Sequence, residues 1–372
     1  MPASRSCRRI PRRLACVLPL LTLGGCDWIV MNPAGDVAVQ QRDLILISTG
    51  LMLLIIVPVM ALTIWFAWRY RKDAQAPDYD PDWDHSTSLE LLIWSAPLLI
   101  IVALGAITWT STHLLDPYRP LDRIDTGRKV AANDRQLEVE VVAMDWKWLF
   151  IYPELGIATV NEMAAPLDRP IRFKLTSASM MNSFYVPALA GQIYAMPGMQ
   201  TMLHAVANRP GSYDGFSSNY SGAGFSHMRF RFHALDAAGF DRWVARVRAS
   251  PAALDRNAYL RLEQPSEKVQ PLHFGAVEPR LFHAALNMCV QPGKRCMDDV
   301  MMTDARGGAG KESARDTAGL RHDGTIDVGG FHPVAPGKKG EIAQPAGMTP
   351  AADKTPAAQR TQTGSHHEHE GK

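Results

Sequence analysis

The sequence predicts two transmembrane α-helices followed by an all-β sandwich with C-terminal helical segments. Residues 44–68 and 91–109 are long apolar runs without a charged side chain, which predicts two membrane-spanning helices. From residue 137 to about 235, short stretches of alternating apolar and polar side chains are separated by Pro and Gly turns. That pattern is typical of a β-sandwich, so the chain combines a membrane part with a water-soluble domain.

The N-terminus has the pattern of a bacterial secretion signal. Five arginines precede an apolar stretch at residues 14–23, and Leu-Gly-Gly-Cys follows, ending at Cys26. This end resembles a lipobox, in which cleavage precedes the cysteine and diacylglycerol is attached to its sulfur. The alternative is a plain first membrane helix, but this stretch is much shorter than the roughly 20 residues that span a bilayer. We therefore predict a lipoprotein signal peptide over residues 1–25, a lipidated Cys26 and a periplasmic segment over residues 26–43.

The two apolar runs are long enough to cross the membrane, since each residue of a helix rises about 1.5 Å. Arg69, Arg71 and Lys72 follow the first run directly, and this excess of positive charge places the loop 69–90 in the cytoplasm. The rest of the chain after the second run is then periplasmic. The alternative, two buried helices of a soluble domain, would require a very large core, because both helices are apolar all round. A multi-pass protein of the bacterial inner (plasma) membrane is expected.

The periplasmic domain is predicted over residues 115–235. In the segment IRFKLTS the apolar and basic side chains alternate, as on a strand with one buried face. In a second stretch, QLEVEVVAMDWKWLFIYPE, the side chains also alternate, and it is interpreted as a strand on which Trp146, Trp148, Phe150 and Tyr152 share one face.

A loop at residues 215–228 carries the most informative pattern. GFSSNYSGAGFSHM resembles the copper loop of cytochrome c oxidase subunit II, G-x-C-S-E-x-C-G-x-x-H-x-x-M. The two cysteine positions fall on Ser217 and Ser221, and only the methionine is retained, as Met228. Upstream, the family writes a histidine within V-x-H-S-[WF]-x-x-P, and this chain reads MMNSFYVP, with Asn182 at the histidine position. The positions that differ from the copper pattern are therefore Asn182, Ser217, Asn219, Ser221 and Phe225.

These replacements remove the chemistry of a dinuclear copper site. Copper pairs need soft thiolates and imidazoles, whereas serine and asparagine offer hard, neutral oxygens and phenylalanine offers no ligand. The combination resembles the other branch of the superfamily, subunit II of haem-copper quinol oxidases of the cytochrome bo type. The matching segments are WKWLFIYPE, IATVNE, SFYVPALAGQIYAMPGM and NRPGSYDGFSSNYSGAGF. The resemblance implies a cupredoxin-like sandwich with no metal and no cofactor bound by this chain, so Trp146 and Trp148 are assigned to core and subunit contacts.

The resemblance also implies a function. The chain would be subunit II of a proton-pumping ubiquinol oxidase complex, which oxidises quinol, reduces oxygen to water and moves protons outward. Haems and copper would belong to subunit I. The partners implied are subunit I, further small membrane subunits and membrane lipid, with quinol as the substrate of the complex. This chain would be a structural and assembly subunit without a redox centre, and its compartment excludes nucleic acid.

Two alternatives remain open. A free-standing membrane lipoprotein with a cupredoxin-like binding domain would purify without a haem protein. A divergent cytochrome c oxidase subunit II with a rebuilt copper site would bind copper and oxidise cytochrome c.

Glu90 lies at the cytoplasmic mouth of the second predicted helix. Its segment SLELLIWSAP resembles the family element L-E-x-x-W-x-x-x-P, which implies that Glu90 marks the entrance of a proton pathway into subunit I. The alternative is purely structural, because a carboxylate at a helix N-terminus is stabilised by the helix dipole.

The chain beyond the sandwich is predicted as a helical extension over residues 236–302 and a disordered tail over residues 303–372. Cys289 and Cys296 lie in an oxidising compartment, which favours a disulfide between them. The alternative, a copper site built on this pair, lacks histidine and methionine at workable spacing. The tail has few large apolar residues and cannot offset its ordering entropy, and its terminal SHHEHE predicts no defined metal site.

Overall fold

The computed structural model describes residues 28–71, 84–131 and 135–305. The predicted signal peptide over residues 1–25 and the lipidation site Cys26 lie outside the described residues. So do most of the predicted cytoplasmic loop and the tail from residue 306 onward.

Two long helices form the membrane part. Helix α1 is Asp36–Arg69 and helix α2 is Thr87–Leu114, with mean hydropathies of 2.6 and 2.3 in their most apolar windows. Neither window is buried by the described part of the chain. Both helices extend beyond the apolar runs, because their polar ends continue the backbone hydrogen bonding outside the hydrocarbon layer.

The start of α1 is buried against the β domain. Asp36, Val37 and Ala38 are buried, and the residue before the helix is Gly35. A Cβ atom at Gly35 would lie 2.3 Å from the carbonyl oxygen of Val206. Only glycine therefore allows the chain to enter the helix this close to the sandwich.

The β domain consists of two facing sheets. The first is a six-stranded sheet in the order β12-β3-β2-β1-β5-β8, and the second is a five-stranded sheet in the order β4-β10-β9-β6-β7. Their strands are β1 Leu137–Met144, β2 Lys147–Tyr152, β3 Ile157–Val160, β4 Glu162–Pro166, β5 Ile171–Ser177, β6 Asn182–Tyr185, β7 Ile193–Ala195, β8 Thr201–Ala205, β9 Gly211–Ser217, β10 Arg229–Leu235 and β12 Leu272–Phe274. Two helices followed by a β-sandwich is the predicted fold class, and the structure confirms it.

The main core lies between the two sheets and is rich in aromatic rings. Trp148 packs edge to face on Phe184, with 5.4 Å between the ring centroids, and Phe184 stacks on Phe230 at 5.3 Å. Trp148 is fully buried, which agrees with its assignment to the core. Aromatic pairs of this geometry stabilise a core by more than their buried area alone.

The stretch 137–152 is a hairpin and not the single strand that the sequence suggested. Strands β1 and β2 are antiparallel and joined by Asp145 and Trp146. Trp146 has a φ of 63°, so it lies in the turn and off the face that Trp148 and Phe150 share. The alternating pattern predicted one buried face, but every residue of β2 is buried, so both faces of the sheet are covered here.

A second core explains this double burial. The outer face of the six-stranded sheet is covered by the C-terminal extension, and residues from both sides form one apolar cluster that includes Leu149, Tyr259 and Phe282. The extension comprises helices α3 Ala237–Arg248, α4 Arg256–Glu263, α5 Leu281–Leu286 and α6 Met297–Thr303, and short strands β11 Ala253–Leu254 and β13 Ala276–Val277. It is not purely helical, since its strand β12 pairs antiparallel with β3 and extends the sheet.

Candidate functional site

The loop that resembles a copper loop connects β9 to β10 at one end of the sandwich. Ser217 is the last residue of β9, and Asn182 is the first residue of β6. Because β6 pairs with β9, two positions that are 35 residues apart in sequence become neighbours. Both side chains are buried. The fold therefore brings together two of the positions that the sequence pattern aligned with copper ligands.

A network of neutral hydrogen bonds connects them. The Ser217 hydroxyl lies 3.2 Å from Asn182 Oδ1 and 3.1 Å from the carbonyl oxygen of Asn219. The amide of Asn219 donates to the carbonyl oxygen of Met181 at 3.1 Å, and that of Asn182 donates to the carbonyl oxygen of Met180 at 3.2 Å. Each of these three side chains is hydrogen-bonded to a neutral group of the loop or of the neighbouring segment 180–182, so no charge is needed to satisfy it.

The far side of the loop is held by sulfur and by an indole ring. The Ser221 hydroxyl points at Met228 Sδ at 3.9 Å, and Trp146 Nε1 donates to the carbonyl oxygen of Ser221 at 2.9 Å. The Trp146 ring lies over Gly224, where a Cβ atom would come within 2.3 Å of it. Trp146 therefore contacts the loop directly, and the loop needs a glycine at this contact.

Phe225 stands apart from the polar network. It begins the short 3-10 turn Phe225–His227, and its ring packs edge to face on Tyr220 with 5.6 Å between the centroids. The side chain of Tyr220 is exposed. The position that the sequence comparison aligned with a ligand histidine is therefore part of an aromatic pair.

The loop as a whole offers hydroxyl and amide oxygens, one thioether, the exposed imidazole of His227 and no thiolate. Thioether sulfur is a soft but weak ligand, and hard neutral oxygens do not bridge a copper pair. Within the described part of the chain, one group of three His, Cys, Asp or Glu side chains lies close enough to share an ion, namely Cys296, Asp298 and Asp299. The sulfur of Cys296 is bonded to that of Cys289, and this group is distant from the loop in sequence.

Gln192 is a member of the loop network that the sequence pattern did not reveal. Its Oε1 atom accepts from the hydroxyl of Ser183 at 3.1 Å and from the hydroxyl of Ser218. Gln192 precedes β7, and nothing in its sequence neighbourhood distinguishes it from a surface glutamine. Only the pairing of β6 with β7 and β9 brings it to the loop.

Glu90 lies in the first turn of α2, at the end of the helix that follows the predicted cytoplasmic loop. His85 Nδ1 lies 2.8 Å from Glu90 Oε1, and the side chains of His85 and Glu90 are 61% and 50% exposed. The Nε2 atom of the same ring lies 3.1 Å from Thr87 Oγ1. Glu90 is thus held in an open hydrogen-bonded pair at the mouth of the helix.

Cys289 and Cys296 are joined by a disulfide bond, with 4.8 Å between their Cα atoms. Both are buried in the second core. The bond links the segment that follows α5 to the residue that precedes α6, and Arg256 Nη1 lies 3.5 Å from the carbonyl oxygen of Cys289.

A second polar cluster, which we call the Glu162 junction, lies where the two sheets meet the extension. Glu162 Oε1 lies 3.4 Å from His233 Nε2 on β10, and Oε2 lies 3.0 Å from His273 Nε2 on β12. Trp243 Nε1 on α3 donates to Oε1 at 3.1 Å. These bonds, His233 first, outweigh burial and lower the pKa of Glu162 to about 2.

Two protein-family sequence models match the chain. The model described as "Cytochrome C oxidase subunit II, periplasmic domain" matches residues 154–234, and "COX Aromatic Rich Motif" matches residues 248–293. The first match covers most of the sandwich and the loop, and it confirms the expected cupredoxin-like type of the domain. The second covers α4, β12 and α5, which close the second core.

Several curated proteins are similar over most of the chain. "Cytochrome bo(3) ubiquinol oxidase subunit 2" of Pseudomonas putida is 49% identical over 278 residues, which are 74% of this chain and 85% of that protein. The protein of the same name from Pseudomonas aeruginosa is 46% identical over 308 residues, 83% of this chain and 86% of that protein. "Ubiquinol oxidase subunit 2" of Acetobacter aceti is 46% identical over 271 residues, 73% of this chain and 86% of that protein.

Proposed function

Because this chain belongs to the family of cytochrome bo-type ubiquinol oxidase subunit II, we propose that it serves in a proton-pumping complex that oxidises quinol and reduces oxygen to water. The observation that carries the proposal is the loop 215–228. Its sequence resembles the pattern of a copper loop, while neutral side chains stand at the positions of the ligands, and Asn182, Ser217 and Asn219 are joined by hydrogen bonds.

A complex without copper in this subunit needs a donor that reaches the haem subunit directly. A quinol dissolves in the membrane and can deliver its electrons inside the bilayer, whereas a soluble electron carrier would need a relay in the periplasmic domain. The neutral loop therefore fits quinol as the substrate of the complex. By the same reasoning this chain binds no haem and no copper, and those cofactors belong to subunit I.

The role left for this chain is structural. The first turn of helix α1 is buried against the β domain. There Arg123 Nε donates to Asp36 Oδ2 at 2.8 Å. Asp36 is only 3% exposed, so this ion pair fixes the helix to the domain. We assign the chain the tasks of bracing subunit I in the membrane and covering it on the periplasmic side, as an inner-membrane protein with Cys26 lipidated.

Glu90 is proposed as a proton-entry group for subunit I. Its support is the open pair with His85 at 2.8 Å, which leaves a titratable group in contact with water at the mouth of α2. We expect Glu90→Ala to slow quinol oxidation severalfold without changing the yield of the complex. The measurement is steady-state oxygen consumption per haem, with Glu154→Ala, at an exposed site of the periplasmic domain, as the matched control. Unchanged turnover would leave Glu90 with only its favourable interaction with the helix dipole.

The test of the whole proposal is purification through a tag on this chain. We expect a haem-bearing subunit to co-purify, the preparation to oxidise ubiquinol, and the chain expressed alone to bind no copper after exposure to copper salt. A chain that purifies without any haem protein would favour the free-standing lipoprotein. Tightly bound copper with thiolate absorption bands, together with cytochrome c oxidation, would favour a divergent cytochrome c oxidase subunit.

A further inference from the structure

A cavity of about 310 Å³ lies where the two membrane helices meet the β domain. We call it the junction cavity. Its wall is formed by the first turns of α1, the last turn of α2 with the segment that follows it, and sandwich residues such as Gln192 and His204. Its volume is at the lower end of the range that is usual for small-molecule sites.

The junction cavity begins at the depth of lipid headgroups. Gln40 and Gln41 line it and precede the apolar run of α1 by three to four residues, about 5 Å at the rise of a helix. On the other helix, Leu114 lies five residues past the end of the apolar run, about 7.5 Å. Since the polar layer of a bilayer is roughly 5–7 Å thick on each side, the floor of the cavity lies within it. Trp109 is exposed at the end of that run, as is typical of a membrane interface.

One ion pair in the cavity is fixed and another is free to rearrange. Asp36 is buried and accepts from Arg123 and from Gln40, each at 2.8 Å. Arg119 pairs with Asp122 at 2.9 Å, but these side chains are 39% and 71% exposed. An exposed pair of this kind contributes little to stability, so the Arg119 guanidinium can turn to a phosphate without a large cost.

The charges that line the cavity have both signs. They are the carboxylates of Asp36, Asp116 and Asp122 and the guanidinium groups of Arg119 and Arg123. His204 adds no charge near neutral pH, because burial lowers its pKa, and its Nδ1 atom faces the carbonyl oxygen of Pro117 at 3.1 Å.

With three carboxylates against two guanidinium groups, a purely anionic headgroup is poorly matched to the cavity. A zwitterion with a phosphate and an ammonium group matches both signs. The exposed carboxylate of Asp116, whose Oδ1 atom accepts from the backbone of Tyr118, is placed to accept from an ammonium group. Leu114, Leu115 and Leu121 also line the cavity and provide apolar surface for a glycerol backbone.

We propose that the junction cavity binds the headgroup of a zwitterionic aminophospholipid from the periplasmic leaflet, with its phosphate at Arg119 and its ammonium group at Asp116. The bound lipid would hold the β domain at a fixed height above the membrane. This inference rests on the two helices spanning the membrane with the domain outside, and it does not depend on the quinol reaction.

The test is native mass spectrometry of the full-length chain in detergent, first delipidated and then given dioleoyl phosphatidylethanolamine or dioleoyl phosphatidylglycerol. We expect one phosphatidylethanolamine to be retained per chain and phosphatidylglycerol to bind at least about tenfold more weakly. The double variant Arg119→Gln with Asp116→Asn should lose that preference. The single variant Arg119→Gln, in an exposed pair, tests the same site if the double variant fails to fold.

The matched control is Asp241→Asn with Arg246→Gln, which changes one acid and one base on the exposed face of α3 and should leave lipid retention unchanged. Equal retention of both lipids, or retention that survives the Arg119 variants, would overturn the proposal. So would soluble phosphorylethanolamine binding as tightly as the intact lipid, because the site would then recognise a free phosphate compound and not the membrane.

Discussion

The copper-like loop and the Glu162 junction are both polar clusters of the same sandwich, and they are held together in different ways. The loop is built from neutral hydroxyl and amide groups such as Ser217 and Asn182. The junction depends on one carboxylate, 13% exposed, that accepts from two imidazoles and an indole. Neutral hydrogen bonds each stabilise a fold by about 1 kcal/mol, whereas hydrogen bonds to a charged group such as this carboxylate contribute about 1.5–3 kcal/mol each. The loop should therefore tolerate change that the junction does not.

The strongest test of this difference is to restore the copper pattern in the loop. We expect the combined variant Asn182→His, Ser217→Cys, Asn219→Glu, Ser221→Cys and Phe225→His to fold and to bind copper with thiolate absorption bands, because the residue spacing of the pattern and its methionine, Met228, are already present. Visible absorption and copper content would be measured on the purified chain. A control with the two histidines but without the cysteines should remain colourless. If the complete variant binds no copper, the loop backbone differs from a copper loop more than its sequence frame indicates.

At the junction we expect the opposite sensitivity. Glu162→Ala removes the acceptor shared by His233, His273 and Trp243 and should lower the free energy of unfolding by about 2–4 kcal/mol. Thermal unfolding in detergent, followed by tryptophan circular dichroism, would report the loss. Glu154→Ala at an exposed position is the control and should change stability by less than about 0.5 kcal/mol. Equal effects of the two variants would show that the Glu162 junction is no more sensitive to substitution than an exposed glutamate.

The junction should also respond to acid. The pKa of Glu162 is about 2 in the fold and near 4.5 in an unfolded chain, so its contribution is fully present above pH 4.5 and is lost as the pH falls toward 2. The stability difference between the parent protein and Glu162→Gln should therefore shrink steadily between pH 5 and pH 2. A difference that stays constant over this range would show that the carboxylate charge is not what stabilises the junction.

A pair of glutamates on β1 provides a smaller contrast of the same kind. Burial, with the nearby charge of Glu138, raises the pKa of Glu140 to about 7. A raised pKa means that stability is greatest below about pH 4.5 and falls as the pH rises through 7. Glu140→Gln should then stabilise the protein by about 1–3 kcal/mol at pH 8 and by little at pH 4.

Glu138→Gln is the matched control and should have the opposite effect. Burial acts against ionisation of Glu138, but its bonds to Lys174 and Arg172 outweigh burial and lower its pKa. Loss of this charge should destabilise the protein at pH 8. If both variants stabilise it, the pairing with Lys174 at 2.6 Å contributes nothing.

The smallest expected effect is at the indole that touches the loop. Trp146→Phe removes the bond to the carbonyl oxygen of Ser221 and should cost about 1 kcal/mol. Hydrogen exchange should show faster exchange in residues 218–227 and no change around Glu162. An equal increase at both places would mean that the two clusters unfold as one unit.

The sequence was most informative where a function or a solvent dictates residue type. The two membrane runs and the copper-like loop were predicted because lipid excludes charge and metal ligands follow a fixed spacing. The sequence pattern wrongly assigned Trp146 to the strand face, because this residue adopts a positive φ that tryptophan rarely takes. The partners of Glu162 could not be predicted, because they come from β10, α3 and β12 and meet only through the packing of the extension on the sheets.

The short stretch before α1 has a consequence for how the protein is made. The backbone N–H of Ala34 donates to the carbonyl oxygen of Ala188, and its own carbonyl oxygen accepts from the N–H of Asn208, each at 2.7 Å. These partners are synthesised more than 150 residues later and, in the topology proposed here, after both helices have inserted. The stretch before α1 leaves the ribosome before either helix, and it can therefore reach its final place only after the sandwich has been exported. During biogenesis this stretch must therefore remain unpaired until the sandwich folds. A delay in export would leave both helices inserted while the stretch before α1 lacks its hydrogen-bond partners.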